Sequence, residues 1–145
     1  MRIRIPRAGA VGLLLLGAAC TEEIPNTPSA PVNGQLVVET FAGTLPLTTS
    51  RFYSFTQANE GSIMLTLISL VEDGVASTVR VGLSIGFPSG TDCQALSTST
   101  TVSTQAGSAP QVSGVFPPGV YCARVADLGQ LTSPASFVVN IARAK

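Results

Sequence analysis

Residues 79–85, which read VRVGLSI, decide the fold class. Every second side chain in this stretch is apolar, and small or polar residues fill the positions between them. A period of two is the pattern of a β-strand that buries one of its faces. The same alternation returns in residues 121–125, after the turn at 117–119, and in residues 137–141. These three stretches predict strands that pack against a common core.

Less regular patterns predict four more strands, at residues 36–41, 53–55, 63–70 and 112–116. The run 63–70 is apolar enough for a strand that is buried on both faces. Residues 97–108 (STSTTVSTQAGS) are polar and of low complexity, and we interpret them as an edge strand or a long surface loop. No stretch has helical spacing of adequate length. The pattern therefore predicts about seven or eight short strands in an antiparallel sandwich or barrel.

The N-terminal residues have the composition of an export signal. Arginines at positions 2, 4 and 7 precede the uncharged stretch 8–19, which is shorter than the roughly 20 residues that a membrane-spanning helix needs. Residues 16–20 (LGAAC) resemble the lipobox of bacterial lipoproteins. The resemblance implies that cleavage leaves Cys20 as the N-terminus, carrying a diacylglyceryl thioether. Thr21 stands where an Asp often retains such proteins at the inner membrane, so the resemblance implies the outer membrane if the envelope is Gram-negative.

Residues 20–34 read as a linker. Prolines recur at positions 25, 28 and 31 among Ser, Thr and Asn, without apolar periodicity. Such a segment is either a semi-stiff spacer, with a reach of at most about 45 Å, or a disordered tail. We therefore divide the chain into a lipoprotein signal peptide (1–19), a lipidated cysteine with a proline-rich linker (20–34) and a β-sandwich domain (35–145).

Composition excludes several functional classes. The 145 residues include eight basic and eight acidic residues, no His and no Trp, and only 11% of them are charged. Five basic residues remain after signal cleavage and form no stripe, so we expect no nucleic-acid partner. The usual general base and the commonest metal ligand are both missing. We expect no catalytic residue, no cofactor and no metal.

Two cysteines remain in the domain, Cys93 and Cys122. Export sends them to an oxidising compartment, where two cysteines are expected to pair. Cys122 should point away from the core, because its neighbours Tyr121 and Ala123 point toward it. The sequence predicts a disulfide that holds the 93–122 segment on the outside of a strand. In the chain-entropy model, a loop of this length contributes about 3.6 kcal/mol of stability.

Five motifs, taken in order, resemble the bacterial pre-peptidase C-terminal domain. They are FAGTL (41–45), RFYSFT (51–56), GSIMLTL (61–67), PGVYCARV (118–125) and SPASFVV (133–139). The resemblance covers about residues 38–142 and implies a jelly-roll-like antiparallel β-sandwich. The family often carries an Asp-bearing stretch before its central strand, whereas STVRV (77–81) has no acid. The resemblance implies an accessory or binding module.

Candidate chemistry in the sequence is sparse. Residues 82–86 (GLSIG) match the G-x-S-x-G nucleophile motif, but Ser84 lies within an alternating strand and the chain has no His partner. A carboxylate-based hydrolase would have to draw on six acidic residues in the domain, and Asp73 or Asp92 could contribute to a calcium loop. These six are Glu39, Glu60, Glu72, Asp73, Asp92 and Asp127. We expect Tyr53 and Tyr121 to point inward and the phenylalanines Phe52, Phe87 and Phe116 to cover the ends of the sandwich.

The sequence therefore favours a non-enzymatic, membrane-anchored envelope protein that binds an unidentified protein or glycan through loops. The longest candidate loops are residues 86–111 and 126–134. Two other functions stay open: an inhibitor or accessory partner of a secreted peptidase, and a purely structural envelope component. The sequence does not distinguish a periplasmic domain from a surface-exposed one.

The lipid anchor is tested by the mass of the protein extracted from membranes. We expect a chain that begins at Cys20 and carries acyl groups, because the lipobox resemblance implies both cleavage and acylation. The variant C20S should lose the acyl mass and the membrane association. An unmodified soluble chain that begins at another residue would contradict this expectation.

Overall fold

The computed structural model describes residues 35–145, which form two antiparallel β-sheets packed as a sandwich. The strands are β1 (Leu36–Leu45), β2 (Ser50–Gln57), β3 (Gly61–Glu72), β4 (Val75–Ala76), β5 (Val81–Ser89), β6 (Asp92–Ala95), β7 (Thr101–Thr104), β8 (Val112–Phe116), β9 (Gly119–Asp127) and β10 (Ala135–Ala144). A turn of 3-10 helix at Thr98–Thr100 precedes β7. The predicted all-β sandwich is confirmed. The described residues contain ten strands rather than seven or eight, because three short strands (β4, β6 and β7) carry no periodic pattern long enough to detect.

The two sheets share one plan. Sheet I has the order β1–β10–β3, and the outer edge of β3 is shared by the two short strands β8 and β4. Sheet II has the order β2–β9–β5, and the outer edge of β5 is shared by β6 and β7. Each sheet therefore has one long edge strand on one side and two short strands on the other.

The alternating residues of β5 lie at the centre of the core. Val81, Leu83 and Ile85 are completely buried. They belong to the same cluster of buried apolar side chains as the inward residues of β3, β9 and β10. One face of each sheet is therefore buried against the other, which is the arrangement that a period of two predicts.

Two predicted strands differ in detail from the structure. The central strand begins at Val81 rather than Val79, because residues 77–80 carry the chain from sheet I to sheet II. Strand β3 is buried on one face only: its register with β10 shifts between Val138 and Val139, and Ile68 at this irregularity is exposed. Residues 86–111 are not one loop, since they include β6 and β7. Residues 97–108 combine the 3-10 turn, the edge strand β7 and a surface segment.

The sandwich has two distinct ends. Leu36 pairs with Ala144, so the described chain begins and finishes at the same end, which we call the terminal end. Leu45 pairs with Ala135 at the other end, which we call the loop end. Strand β1 runs between them over about 30 Å. Residues 35–145 contain no helix that is long and apolar enough to cross a membrane.

The predicted disulfide is confirmed. Cys93 in β6 is bonded to Cys122 in β9, and their Cα atoms are 5.9 Å apart. Cys122 lies on the outer face of sheet II, opposite Gly86 of β5. Both cysteines are nevertheless buried. The bridge therefore joins two strands across β5, which lies between them in the sheet.

A glycine makes this bridge possible. A Cβ atom built on Gly86 would lie 2.1 Å from the carbonyl oxygen of Gln94 and 3.0 Å from the sulfur of Cys93. The backbone of β6 therefore folds over the outer face of β5 at Gly86, where β5 has no side chain. Any larger residue would have to displace backbone, which is more costly than moving a flexible side chain.

Replacement of this glycine tests the packing of β6. We expect G86A to lower the free energy of unfolding by about 3 kcal/mol, at the upper end of overpacking costs, because the clash is with backbone. Urea denaturation of the oxidised protein measures the effect. The matched control is G107A, whose new Cβ would meet only the Gln111 side chain at 3.5 Å and should change stability by less than about 0.5 kcal/mol. Equal stability of the two variants would contradict this account.

Candidate functional site at the loop end

Four connections meet at the loop end. They are the β1–β2 turn (46–49), the β3–β4 turn (73–74), the crossing segment 77–80 and the β9–β10 loop (128–134). None of these segments is long. Two carboxylates, Asp127 and Glu72, accept hydrogen bonds from three of them, the segments 46–49, 77–80 and 128–134. The loop end is consequently an ordered surface.

Asp127 organises one half of this surface. One carboxylate oxygen accepts the backbone N–H of Thr48 at 2.7 Å, and the other accepts those of Gly129, Gln130 and Leu131 at 2.9, 3.1 and 3.3 Å. The backbone N–H of Asp127 donates to the carbonyl of Thr49. Asp127 therefore joins the β1–β2 turn to the β9–β10 loop.

Glu72 organises the other half. One of its oxygens accepts the hydroxyl of Ser77 at 2.6 Å. The other accepts the backbone N–H groups of Thr132 and Ser133 at 3.0 and 3.3 Å, and the Thr132 hydroxyl. The β9–β10 loop is thus held near its start by Asp127 and near its end by Glu72. Leu131, between these points, is buried in the core.

These hydrogen bonds favour the ionised carboxylates. The hydroxyl of Ser77 and the N–H groups of Thr132 and Ser133 lower the pKa of Glu72 below its ordinary value of 4.5, against a smaller effect of burial. Burial raises the pKa of Asp127. The four backbone N–H groups together outweigh this effect, so the pKa lies below its ordinary value of 3.8. Both groups are negatively charged at neutral pH.

The exposed apolar side chains of the loop end are separate from these carboxylates. Leu47, Val75 and Leu128 are 40%, 69% and 49% exposed. Val75 follows a two-residue turn in which Asp73 and Gly74 both have positive φ, at 48° and 80°, as a type I′ hairpin requires. The surface therefore combines loops ordered by hydrogen bonds with exposed apolar side chains and neutral hydroxyls.

Glu72 and Asp127 are ionised and occupied by hydrogen bonds, so neither is suited to act as a general acid. Ser84 lies within β5, opposite Arg124 and Thr101, and not at the strand-to-helix turn that a nucleophile motif requires. Within residues 35–145, no group of three or more His, Cys, Asp or Glu side chains could hold a metal ion.

The remaining acidic candidates are dispersed. Glu60 and Asp73 occupy exposed turns. Asp92 begins β6 and approaches Arg124 at 3.7 Å, in an exposed pair that contributes little. Glu39, Glu60 and Asp92 therefore lie away from the loop end, which holds Glu72, Asp73 and Asp127. Cys20, the predicted lipidation site, lies outside the described residues.

Glu39 belongs to a cluster at the side of the sandwich. Its carboxylate accepts hydrogen bonds from Nε (3.2 Å) and Nη2 of Arg143. It also accepts one from the Tyr53 hydroxyl, at 3.1 Å. The bond to Glu39 and its negative charge raise the pKa of Tyr53, with a smaller opposing effect of Arg143. Tyr53 is on the inward face of β2 as predicted, but it is not enclosed: 38% of it is exposed, because β2 is an edge strand.

The other aromatic residues differ in whether they lie where the sequence predicts. Tyr121 is buried as predicted, and its hydroxyl donates to the Pro117 carbonyl at 2.8 Å. Phe116 and Phe87 pack on it at the terminal end, with ring centroids 5.5 and 5.4 Å away, and half of Phe87 is exposed. Phe52 does not cover an end. It lies half-buried on the outer face of sheet II, opposite Arg124.

Sequence reasoning missed the two organising carboxylates. Asp127 had a local signal, because an Asp two residues before Gly129 is typical of a side chain that bonds its own following backbone. Glu72 had none, since its partners in the β9–β10 loop are 60 and 61 residues away. The Glu39–Arg143 pair, 104 residues apart, is equally invisible in the sequence.

Comparison with known proteins adds no relative. The chain matches no protein-family model and no curated protein at a significant level.

The carboxylates predict how stability depends on pH. A lowered pKa in the folded state gives stability that is complete above the ordinary value and lost as the pH falls through the folded one. We therefore expect stability to fall with decreasing pH below about 4.5. D127N should cost about 1 kcal/mol at pH 7, because solvent weakens the bonds to this partly exposed group. It should also reduce the loss on acidification.

The matched control is D73N. Asp73 lies in an exposed turn whose backbone conformation Asn also tolerates. Urea denaturation at pH 7 and pH 3 compares the two variants with the parent protein. Equal sensitivity of D127N and D73N would refute the role given to Asp127.

Proposed function

We propose that this chain is an exported, lipid-anchored envelope protein that presents a non-catalytic β-sandwich for binding a protein or a glycan. The observation that carries the proposal is the position of the loops at the end of the domain opposite to the one where the chain enters. The chain enters at Gln35, at the terminal end, whereas the ordered loops lie about 30 Å away at the loop end.

The position of the linker supports this orientation. Residues 20–34 precede Gln35 directly, and Cys20 is the expected site of lipidation. An anchor on this side leaves the loop end as the part of the domain farthest along β1 from the attachment point. Loops carried by a rigid sheet scaffold are the usual place for specific contacts.

The side chains at the loop end support binding in preference to catalysis. The two carboxylates are used to order loops, and the exposed groups there are Leu47, Val75 and Leu128. Apolar side chains surrounded by hydroxyls and backbone amides suit a protein surface or a glycan, because both present mixed apolar and hydrogen-bonding groups.

A photo-crosslinking residue at a single position tests the proposal in intact membranes. Placed at Val75, it should give a specific adduct with one protein or glycan, because this side chain projects from the loop end. The matched control is the same residue at Val115, which is equally exposed, at 72% against 69%, but lies on β8 toward the terminal end.

Two results would overturn the proposal. Adducts of equal yield from both positions would show that the loop end is not the binding surface. Turnover of a substrate by the purified protein, lost in a carboxylate variant, would replace binding by catalysis.

The variant D127A should reduce the Val75 adduct while leaving the Cys93–Cys122 bridge intact, since Asp127 orders the loops and not the body of the sandwich.

A further inference from the structure

One side of the sandwich ends in two long strands. Among residues 35–145, neither β1 nor β2 has a strand partner on its outer edge, and we call the side that they form the open side. The opposite side has only short outer strands, and the crossing segments 77–80 and 105–111 run over it. A long, flat, unpaired edge is a template for pairing with another strand.

Strand β1 carries few of the features that block such pairing. It contains no Pro and no Lys, and its register with β10 is unbroken from Leu36 to Leu45. Glu39 is the one charged residue in the strand, and it points inward to a compensating Arg143. Only the end of the edge is occupied, since Arg51 donates to the carbonyl of Thr44 at 3.2 Å.

The outer face of sheet I is free of charge among the described residues. Its positions follow from the alternation of the inward residues and from the register of the strands. They are Leu36, Val38, Thr40, Ala42, Thr44, Ser136, Val138, Asn140, Ala142, Ala144, Ser62, Met64, Thr66, Ser69, Val71, Ser113 and Val115. A second sheet of the same kind can therefore continue this one without bringing like charges together.

An aromatic pair lies beside the same edge. Tyr53 stacks on Phe41 with ring centroids 5.8 Å apart, and its hydroxyl reaches Glu39. Phe41 in turn packs on buried Phe137. The half-exposed Tyr53 ring is thus held rigidly at the middle of the open side. Rigid exposed aromatic rings are enriched at the centres of protein interfaces.

We propose that the open side is a two-fold interface between two copies of this chain, in which the β1 strands pair antiparallel about Thr40. The length of the strand and its one charged residue favour this register, because Thr40 is the middle of residues 36–44. Residues that lie directly opposite each other in the two strands point to the same face of the sheet. A strand pair centred on Glu39 would therefore set two carboxylates against each other. Centring on Thr40 instead places Glu39 beside Phe41 of the second copy and Val38 beside its Ala42.

The occupant is a second copy because an identical strand matches this edge along its whole free length. In the pair, the two Gln35 residues lie about one strand length apart, roughly 30 Å. This is less than the reach of about 45 Å expected for an extended linker. Both chains can therefore be anchored in one membrane. Because the paired strands are antiparallel, the loop end of each copy lies beside the terminal end of the other, and the dimer goes beyond the proposed binding function.

A single new cysteine tests the interface in the full-length protein in its membrane. Thr40 lies opposite itself in the pair, with Cα atoms about 5 Å apart, a distance that a disulfide spans. Under mild oxidation, T40C should give at least tenfold more disulfide-linked dimer than T66C. Thr66 lies two strands away on the same face, so its copies would be about 24 Å apart.

A second pair of variants separates pairing from folding. Added to T40C, V38K should reduce the linked dimer at least fivefold, because it places a charge in the paired edge. V115K, on the same face but at β8, should leave the dimer unchanged. Both positions are exposed, at 57% and 72%, so neither change disturbs the core.

Three outcomes would overturn the proposal. Monomeric T40C whose thiol reacts rapidly with maleimide would show a free edge. Monomeric T40C whose thiol is protected would show that lipid or another protein covers the strand. Dimers formed by T66C as readily as by T40C would show that copies stack face to face instead.

Discussion

The burial of one face of each sheet against the other is the constraint on which the whole domain depends. Val81, Leu83 and Ile85 belong to the same buried cluster as Ile63, Leu65 and Leu67 of the other sheet, and this shared core fixes which side of each strand points inward. A shift of one residue in any register would turn a row of apolar side chains to solvent. The residues at all other positions then form the outer faces, the ends and the edges of the sandwich.

The parts of this arrangement that a local pattern encodes were predictable, and the parts that depend on distant contacts were not. Alternation predicted the strands around Val81, Tyr121 and Phe137, and the export signal inferred from the sequence led to the prediction of the Cys93–Cys122 bridge. Strand β6 escaped notice because four residues cannot display a period. The exposure of Tyr53 was not predicted either, because alternation indicates the face on which a residue lies but not its distance from the edge of the sheet.

The candidate site follows the same division. Its position at the loop end is a consequence of topology, which brings four connections together that are far apart in the chain. Its rigidity is a consequence of two carboxylates whose partners include residues 79 positions away for Asp127 and 60 for Glu72. Composition could exclude imidazole chemistry from the sequence alone. It could not show that the acidic residues are used to order loops.

The way in which β6 covers Gly86 has a consequence for the redox behaviour of the domain. Cys93 and Cys122 are buried when this strand is in place, with 1% and 0% of their surface exposed. A small thiol or a thiol–disulfide exchange protein can therefore attack the bridge only after β6 has peeled away. The bridge is thus retained for as long as the domain stays folded, and changes in the redox balance around the protein do not reach it.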